Sequence, residues 1–266
     1  MNRARVLIVA GSDSGGGAGI QADIKTVTAL GGFAMTAITA LTAQNTLGVS
    51  GICPVEPSFI RQQMAACLED LGADAIKTGM LHSVEVIEAV AAELDMRASN
   101  LPLIADPVMV AQSGASLIQD AAVAAILSLI VPRAALLTPN TPEAARLTGL
   151  KVEDRKGQIA AAERLTASGA KAVLVKGGHL GGDPLFDVLL TEAGLLELST
   201  PRVATEETHG TGCTLASAIA TGVAQGLALD TAVRRAQSYL HRALETAPGF
   251  GQGQGPVNHG HPLQSG

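Results

Sequence analysis

Short runs of aliphatic and β-branched residues alternate along this chain with longer Ala-rich stretches of helical character. The short runs predict strands at 6–10, 33–41, 75–78, 103–105, 136–138 and 173–175. The longer stretches predict helices at 21–30, 57–71, 83–94, 120–130, 141–147, 157–167, 212–225 and 231–246. Apolar strands alternating with helices predict an α/β fold with a largely parallel sheet covered on both faces. The segment 186–198 reads as a hairpin turning at Glu192-Ala193-Gly194, near a sheet edge. The Gly-rich stretch 249–266 reads as irregular, its last few residues as candidates for disorder. No repeat of solenoid period is present.

The polar positions add direction to this picture. Strand after strand ends in polar or glycine-rich sequence. The first runs into Gly11-Ser12-Asp13-Ser14-Gly15-Gly16-Gly17-Ala18-Gly19. Later ones run into Lys77-Thr78-Gly79-Met80, Asp106-Pro107, Thr138-Pro139-Asn140 and Lys176-Gly177-Gly178-His179. Each tip alone reads equally as a loop, a turn, a helix cap or a solvated lysine. Together they define one cleft, because ligands of open α/β sheets bind beyond the carboxyl ends of parallel strands. The first loop is neither a Walker loop nor a dinucleotide fingerprint, since both spacings are absent.

Gly210-Thr211-Gly212-Cys213 is more specific. It opens a predicted buried helix, where glycines let successive N–H groups converge and the helix start adds unpaired donors and partial positive charge. Such a turn is an anion hole, here for phosphate; a glycine-rich helix cap is the plainer alternative. Cys213 in the first turn is expected to have a lowered thiol pKa, against the alternative of a small buried residue.

Composition narrows the function classes. The 266 residues are 47% hydrophobic and 16% charged, and no linker divides them, so one globular domain spanning 1–266 is expected. A net charge of -6 leaves no basic footprint for nucleic acid. The apolar run 121–131 is too short to cross a membrane, and 6–10 is too short for a signal peptide. Cys53, Cys67 and Cys213 form no CxxC pair and are odd in number, which fits a reducing cytoplasm rather than a zinc or disulfide framework.

The loop 11–19 with Ile20-Gln21-Ala22-Asp23-Ile24-Lys25 resembles the N-terminal signature of bacterial hydroxymethylpyrimidine/phosphomethylpyrimidine kinases. Ala43-Gln44-Asn45-Thr46, Lys77-Thr78-Gly79-Met80, Asp106-Pro107-Val108-Met109-Val110, Asn140-Thr141-Pro142-Glu143, Lys176-Gly177-Gly178-His179 and the segment 208–214 continue the likeness in order. Gly255-Pro256-Val257-Asn258-His259 resembles the family's closing segment. The resemblance covers nearly the whole chain. It implies a three-layer α/β/α ribokinase-like fold and two successive ATP-dependent phosphorylations of a hydroxymethylpyrimidine in thiamine biosynthesis. It also implies assistance by Mg²⁺ and a homodimer.

By the same resemblance, Gln44 binds the pyrimidine, and Gly11, Ala18, Met80 and Val108 line its pocket with Asp23 close by. The amide of Gln44 suits a ring nitrogen and an exocyclic amine. Gly210, Thr211, Gly212 and Cys213 are assigned to the transferring phosphoryl group, Lys176 to nucleotide phosphate charge, and Asn140 with Glu143 to water-held Mg²⁺. Asp106 assists metal or phosphate positioning, and Asp13 faces the transfer region. Cys213 stands where many ribokinase-like enzymes carry an aspartate base. Residues 110–115 match a flap over the substrate. Gln112, Gln237 and Glu206-Glu207 depart from the family pattern, in a direction expected to weaken ATP binding. Two alternatives stand beside this reading: a pyridoxal kinase of the same superfamily, and a silent pyrimidine-binding protein.

Overall fold

The computed structural model describes residues 4–109 and 120–264. Its centre is β1 (Arg5–Asp13), a strand buried on both faces. Successive side chains of a strand point to opposite sides. Leu7 and Val9 therefore enter one core, with Met35, Ile60, Met64, Ile87 and Leu165. Val6, Ile8 and Ala10 enter the other, with Ile20, Val27, Leu215, Ile219 and Tyr239. A strand with two buried faces must be apolar throughout, which is why its sequence reads as an unbroken run.

From β1 the chain passes through α1 (Gly19–Ala29) to β2 (Phe33–Asn45), which pairs parallel beside β1. β3 (Gly48–Pro54) folds back antiparallel on β2 and forms one edge of the sheet. The chain then crosses through α2 (Pro57–Ala66) to the other side of β1, where β4 (Ala75–Thr78) pairs parallel. After α3 (Val84–Arg97) come β5 (Leu103–Ala105), α4 (Asp120–Ala125), β6 (Leu136–Leu137), α5 (Thr141–Thr148), α6 (Arg155–Ala167) and β7 (Val173–Val175). These strands extend the sheet in chain order, all parallel. The antiparallel hairpin of β8 (Leu185–Thr191) and β9 (Gly194–Thr200) closes the far edge. The last two helices are α7 (Thr211–Ala224) and α8 (Leu229–Glu245).

The result is a nine-stranded, mostly parallel sheet between two helical layers. α1, α7 and α8 cover one face; α2 to α6 cover the other. The strand order reverses at β1 and β4, a topological switch point that opens a crevice at their carboxyl ends.

Four features differ from the sequence-based expectation. β2 runs four residues further, and β3 was not expected at all. β3 reads Gly-Val-Ser-Gly-Ile-Cys-Pro, with no strand residue fully buried, so it carries no apolar run to betray it. The helices at 57–71 and 120–130 each end in a π-helical turn, at Cys67–Leu71 and Ile126–Ile130. From 249 to 264 the Gly-rich tail is irregular but anchored: Val257 and His259 are buried, and a short 3₁₀ turn follows at His261–Gln264, while residues 265–266 lie outside the described residues.

Candidate active site

A cavity of about 430 Å³ opens along the carboxyl ends of the strands. Its wall includes Gly11, Ala18, Gln44, Met80, Asp106, Val108, Asn140, Glu143 and Lys176. Gly210, Thr211, Gly212 and Cys213 complete it. Strand tips and a helix start separated by up to about 200 residues are thus brought to one place.

Around Met80 lies a largely apolar slot. Gly11 has no room for a side chain, because a Cβ there would meet Met80 Cε at 2.5 Å. Met80 and Ala40 pack with Val49, Ile52 and Val108, so the unexpected strand β3 backs this slot. Gln44 sits near the end of β2, its amide 3.1 Å from Thr42 Oγ1 and 3.5 Å from His209 Nε2. The Ser14 hydroxyl donates to the Gln44 carbonyl and accepts from its N–H, both at 2.8 Å, tying the glycine-rich loop to β2.

That loop is organised by Asp13. Its carboxylate accepts from the N–H groups of Gly15, Gly17 and Ala18 and from His209 Nε2 at 2.8 Å. Burial pulls the Asp13 pKa upward, but the His209 and backbone hydrogen bonds outweigh it and hold the group below its ordinary range. His209 has no single signal in the sequence beyond its place in the 208–214 segment, yet it joins the two glycine-rich loops.

At the centre stands the N-terminus of α7. Gly210 caps it with φ 81°. Thr211 N–H reaches the Thr208 carbonyl at 3.3 Å. The N–H groups of Gly212 and Cys213 are left without an acceptor in the chain among the described residues. A Cβ at Gly212 would lie 3.3 Å from Lys176 Nζ and 3.5 Å from Asp106 Oδ2. Free donors, an ammonium and a carboxylate therefore converge on one point.

Lys176 Nζ donates to Asp106 Oδ1 at 2.9 Å, and Thr138 Oγ1 donates to the same oxygen at 3.0 Å. Burial disfavours the Lys176 charge, but Asp106 and Glu143 outweigh it and raise its pKa. Asn140 caps α5 in a reciprocal arrangement: its side chain accepts from Glu143 N–H, and Glu143 Oε2 accepts from Asn140 N–H. The cap alternative for this motif is thus realised, and the same cap holds Glu143 on the cleft wall. Burial pushes the Glu143 carboxyl up to about 7, opposed by Lys176 and reinforced by Asp106. Beyond Lys176, Asp187 accepts from Gly177 N–H at 2.7 Å and from Gln237 Nε2 at 2.8 Å. Asp187 had no signal in the sequence; Gln237 lines this end with it.

Two expectations are corrected. Asp23 does not line the cavity. It is fully buried, both oxygens 2.9 Å from Lys77 Nζ, with Ser217 donating at 2.6 Å. Lys77 is fully buried too; Asp23 outweighs the burial penalty and keeps its pKa above the ordinary value. The second concerns Cys213, whose thiol pKa is raised rather than lowered. Burial pushes it up to about 11, with Asp23 and Asp106 adding to the effect and Lys77 opposing it. The proposed flap, 110–115 with Gln112, lies outside the described residues. Glu206 and Glu207 are not on the cavity wall.

Among the described residues, no three His, Cys, Asp or Glu side chains gather into a metal cage. Mg²⁺ does not require one, since it is commonly held by one or two carboxylates, waters and phosphate oxygens. The hard oxygens of Asp106 and Glu143 on one wall fit that donor chemistry. Among the described residues no helix is long and apolar enough to cross a membrane.

Comparison with known proteins agrees with this geometry. The family model for phosphomethylpyrimidine kinase matches residues 13–258. The thiamine biosynthesis bifunctional protein ThiED of Geobacter sulfurreducens is 51% identical over 257 residues. That match takes in 97% of this chain and 52% of the bifunctional protein, so the chain spans about half of that relative. The hydroxymethylpyrimidine/phosphomethylpyrimidine kinase of Bacillus subtilis is 46% identical over 96% of this chain and 94% of its own. The ADP complex of Bacillus subtilis pyridoxal kinase superposes with a TM-score of 0.91 at 32% identity, covering 100% of both chains. The fold is ribokinase-like and mostly parallel, as the sequence implied. With a matching family model over nearly its whole length, and a cleft that gathers the motifs of that family, the chain belongs to the phosphomethylpyrimidine kinase family.

Proposed function

We propose that this protein uses ATP to phosphorylate the hydroxymethyl group of 4-amino-5-hydroxymethyl-2-methylpyrimidine, and then phosphorylates the monophosphate to the diphosphate. The observation that carries this reading is the shared cavity, in which a slot with Gln44 and Met80 adjoins the free N–H groups of α7. The ring lies in the slot, where one amide can serve both a ring nitrogen and an exocyclic amine. Its hydroxymethyl oxygen then faces the γ-phosphorus. Gly212 and Cys213 N–H groups stabilise the charge that develops on the transferring oxygens. Lys176, held by Asp106, neutralises phosphate charge. Asp106 and Glu143 would hold Mg²⁺, whose charge would offset that of the nucleotide phosphates. A loose phosphoryl-transfer transition state asks little of a strong base. That suits a Cys213 thiol that stays protonated, so Cys213 acts through its backbone N–H. The whole chain works as one catalytic unit, as a homodimer in the cytoplasm.

A second reading, pyridoxal phosphorylation, is favoured by the likeness to pyridoxal kinase. A similar pocket accepts another aromatic hydroxymethyl compound when little but shape discriminates. Against it as the main activity stand Gln44 and Met80, and the absence of cysteine from 110–115.

The test is ADP release by purified protein with Mg-ATP and the pyrimidine alcohol, with phosphorus NMR of the product. A diphosphate is the expected product. Turnover no greater than that of Lys176→Ala sinks the kinase reading, and turnover confined to pyridoxal replaces it with the second.

A further inference from the structure

The segment Gly255-Pro256-Val257-Asn258-His259 is absent from the cavity wall, yet it holds both ends of the phosphate-binding turn. In front of the turn, His209 N–H donates to the Gly255 carbonyl at 3.1 Å, and His209 pairs with Pro256 as an isolated bridge. Behind it, His259 Nε2 lies 3.0 Å from Thr214 Oγ1. The Thr214 hydroxyl donates to the Gly210 carbonyl at 2.8 Å. A hydroxyl has one proton to give; with that proton on Gly210, Thr214 accepts from the Nε2–H tautomer of His259. Donation therefore runs from His259 through Thr214 to Gly210.

The Gly210 carbonyl also accepts from Thr214 N–H at 2.9 Å. In a planar trans peptide the N–H points opposite to the carbonyl. Fixing this carbonyl fixes Thr211 N–H on the Thr208 carbonyl, and with it the heading of the next two N–H groups. His259 is itself anchored on α8. Its carbonyl accepts from the Tyr239 hydroxyl at 2.6 Å, and Asn258 N–H donates to the Ala243 carbonyl at 2.9 Å. His259 and Thr214 are both buried, so water does not compete for these bonds.

We propose that His259 is a positioning residue for phosphoryl transfer, acting through Thr214 on the Gly210 carbonyl to aim the phosphate-binding turn. This rests on the kinase reading above. The test measures kcat and KM for His259→Phe, which keeps a ring but removes the donor, and His259→Gln, which keeps a donor. Thr214→Val and Thr214→Ser are measured beside them. His259→Phe and Thr214→Val should each lower kcat by about ten- to a hundredfold, as misaimed catalytic groups do. KM for the pyrimidine alcohol should stay within about twofold, because the ring slot is untouched. His259→Gln and Thr214→Ser should recover most of the rate. The double variant His259→Phe/Thr214→Val should fall no lower than the worse single, since one relay is broken either way. Wild-type kcat in His259→Phe overturns the proposal, as do losses that multiply, or Thr214→Ser falling as far as Thr214→Val. If His259→Phe fails to fold, the Thr214 pair reads the same relay without touching the tail. A readout without turnover separates this from the kinase reading. The Gly212 and Cys213 amide resonances, followed by ¹H–¹⁵N NMR without substrate, should shift in Thr214→Val and not in Thr214→Ser. Unmoved resonances overturn the relay even if the wild type turns over. Shifted resonances in a protein that releases no ADP overturn the kinase reading and leave the relay standing.

Discussion

Gly210 has two independent reasons to be glycine. Its φ of 81° lies in the left-handed region, and a Cβ there would collide with the Gly17 carbonyl. Gly210→Ala is therefore expected to lower stability by about 1–3 kcal/mol, measured by urea unfolding. It should also lower kcat by more than about tenfold, because the displacement falls on the donors of α7; an unchanged kcat would contradict the placement of the phosphate there. Cys213 shows where reading by position fails. A helix N-terminus argues for a thiolate, but partial burial beside two carboxylates argues more strongly for the thiol. Neither the burial nor the carboxylates can be seen from the local sequence, since Asp23 and Asp106 arrive from other strands and helices. Asp23 fails for a related reason: its motif does not reveal that the side chain turns inward to Lys77, 54 residues away.

The Lys77–Asp23 pair joins three elements. Lys77 is on β4, Asp23 on α1, and Ser217, which donates to Asp23, on α7. Both charged side chains are 0% exposed, so neither can turn to solvent if its partner is lost. Lys77→Met should thus destabilise the fold by about 3–5 kcal/mol by leaving a buried carboxylate unpaired. Lys77→Met/Asp23→Leu should regain much of that loss; urea midpoints of the single and double variants decide. A single variant as stable as wild type would show that the pair is not a structural joint. Elements differ in how plainly they are written in the chain. The parallel strands are legible because burial on two faces demands continuous apolar sequence. The α5 start is legible because Asn140, Pro142 and Glu143 are each suited to their own position in a first turn. β3 is not, because its partners lie on one side only and its residues alternate with glycine and serine. Missing β3 also hid Val49 and Ile52 behind the slot at Met80.

Across the molecule, the tail is the part least visible beforehand. Glycine content argued for an irregular path, correctly, but the bonds that fix it reach partners such as Thr214 and Tyr239, 45 and 20 residues away, and leave no local pattern. His259 gives this packing a measurable signature. Burial holds its pKa down to about 4, with the charges of Lys25, His209 and His261 adding to the effect. An unfolded chain takes up that proton near 6.5. Stability present in full above pH 6.5 is therefore lost as pH falls toward 4, by about 3 kcal/mol from this residue. His179 and His261, whose pKa values are also lowered, act in the same direction. Urea midpoints between pH 7 and 4.5 should fall faster in wild type than in His259→Gln; parallel curves would contradict the neutral buried ring. The position of this segment in the chain has a consequence for biogenesis. Residues 255–259 leave the ribosome after every strand of the sheet and after α7 itself. A nascent chain can complete its sheet while the turn at 210–213 still lacks its supports at Gly255 and His259. On the proposed reading, the turn then becomes competent to hold phosphate only after the sheet that carries it has been synthesised.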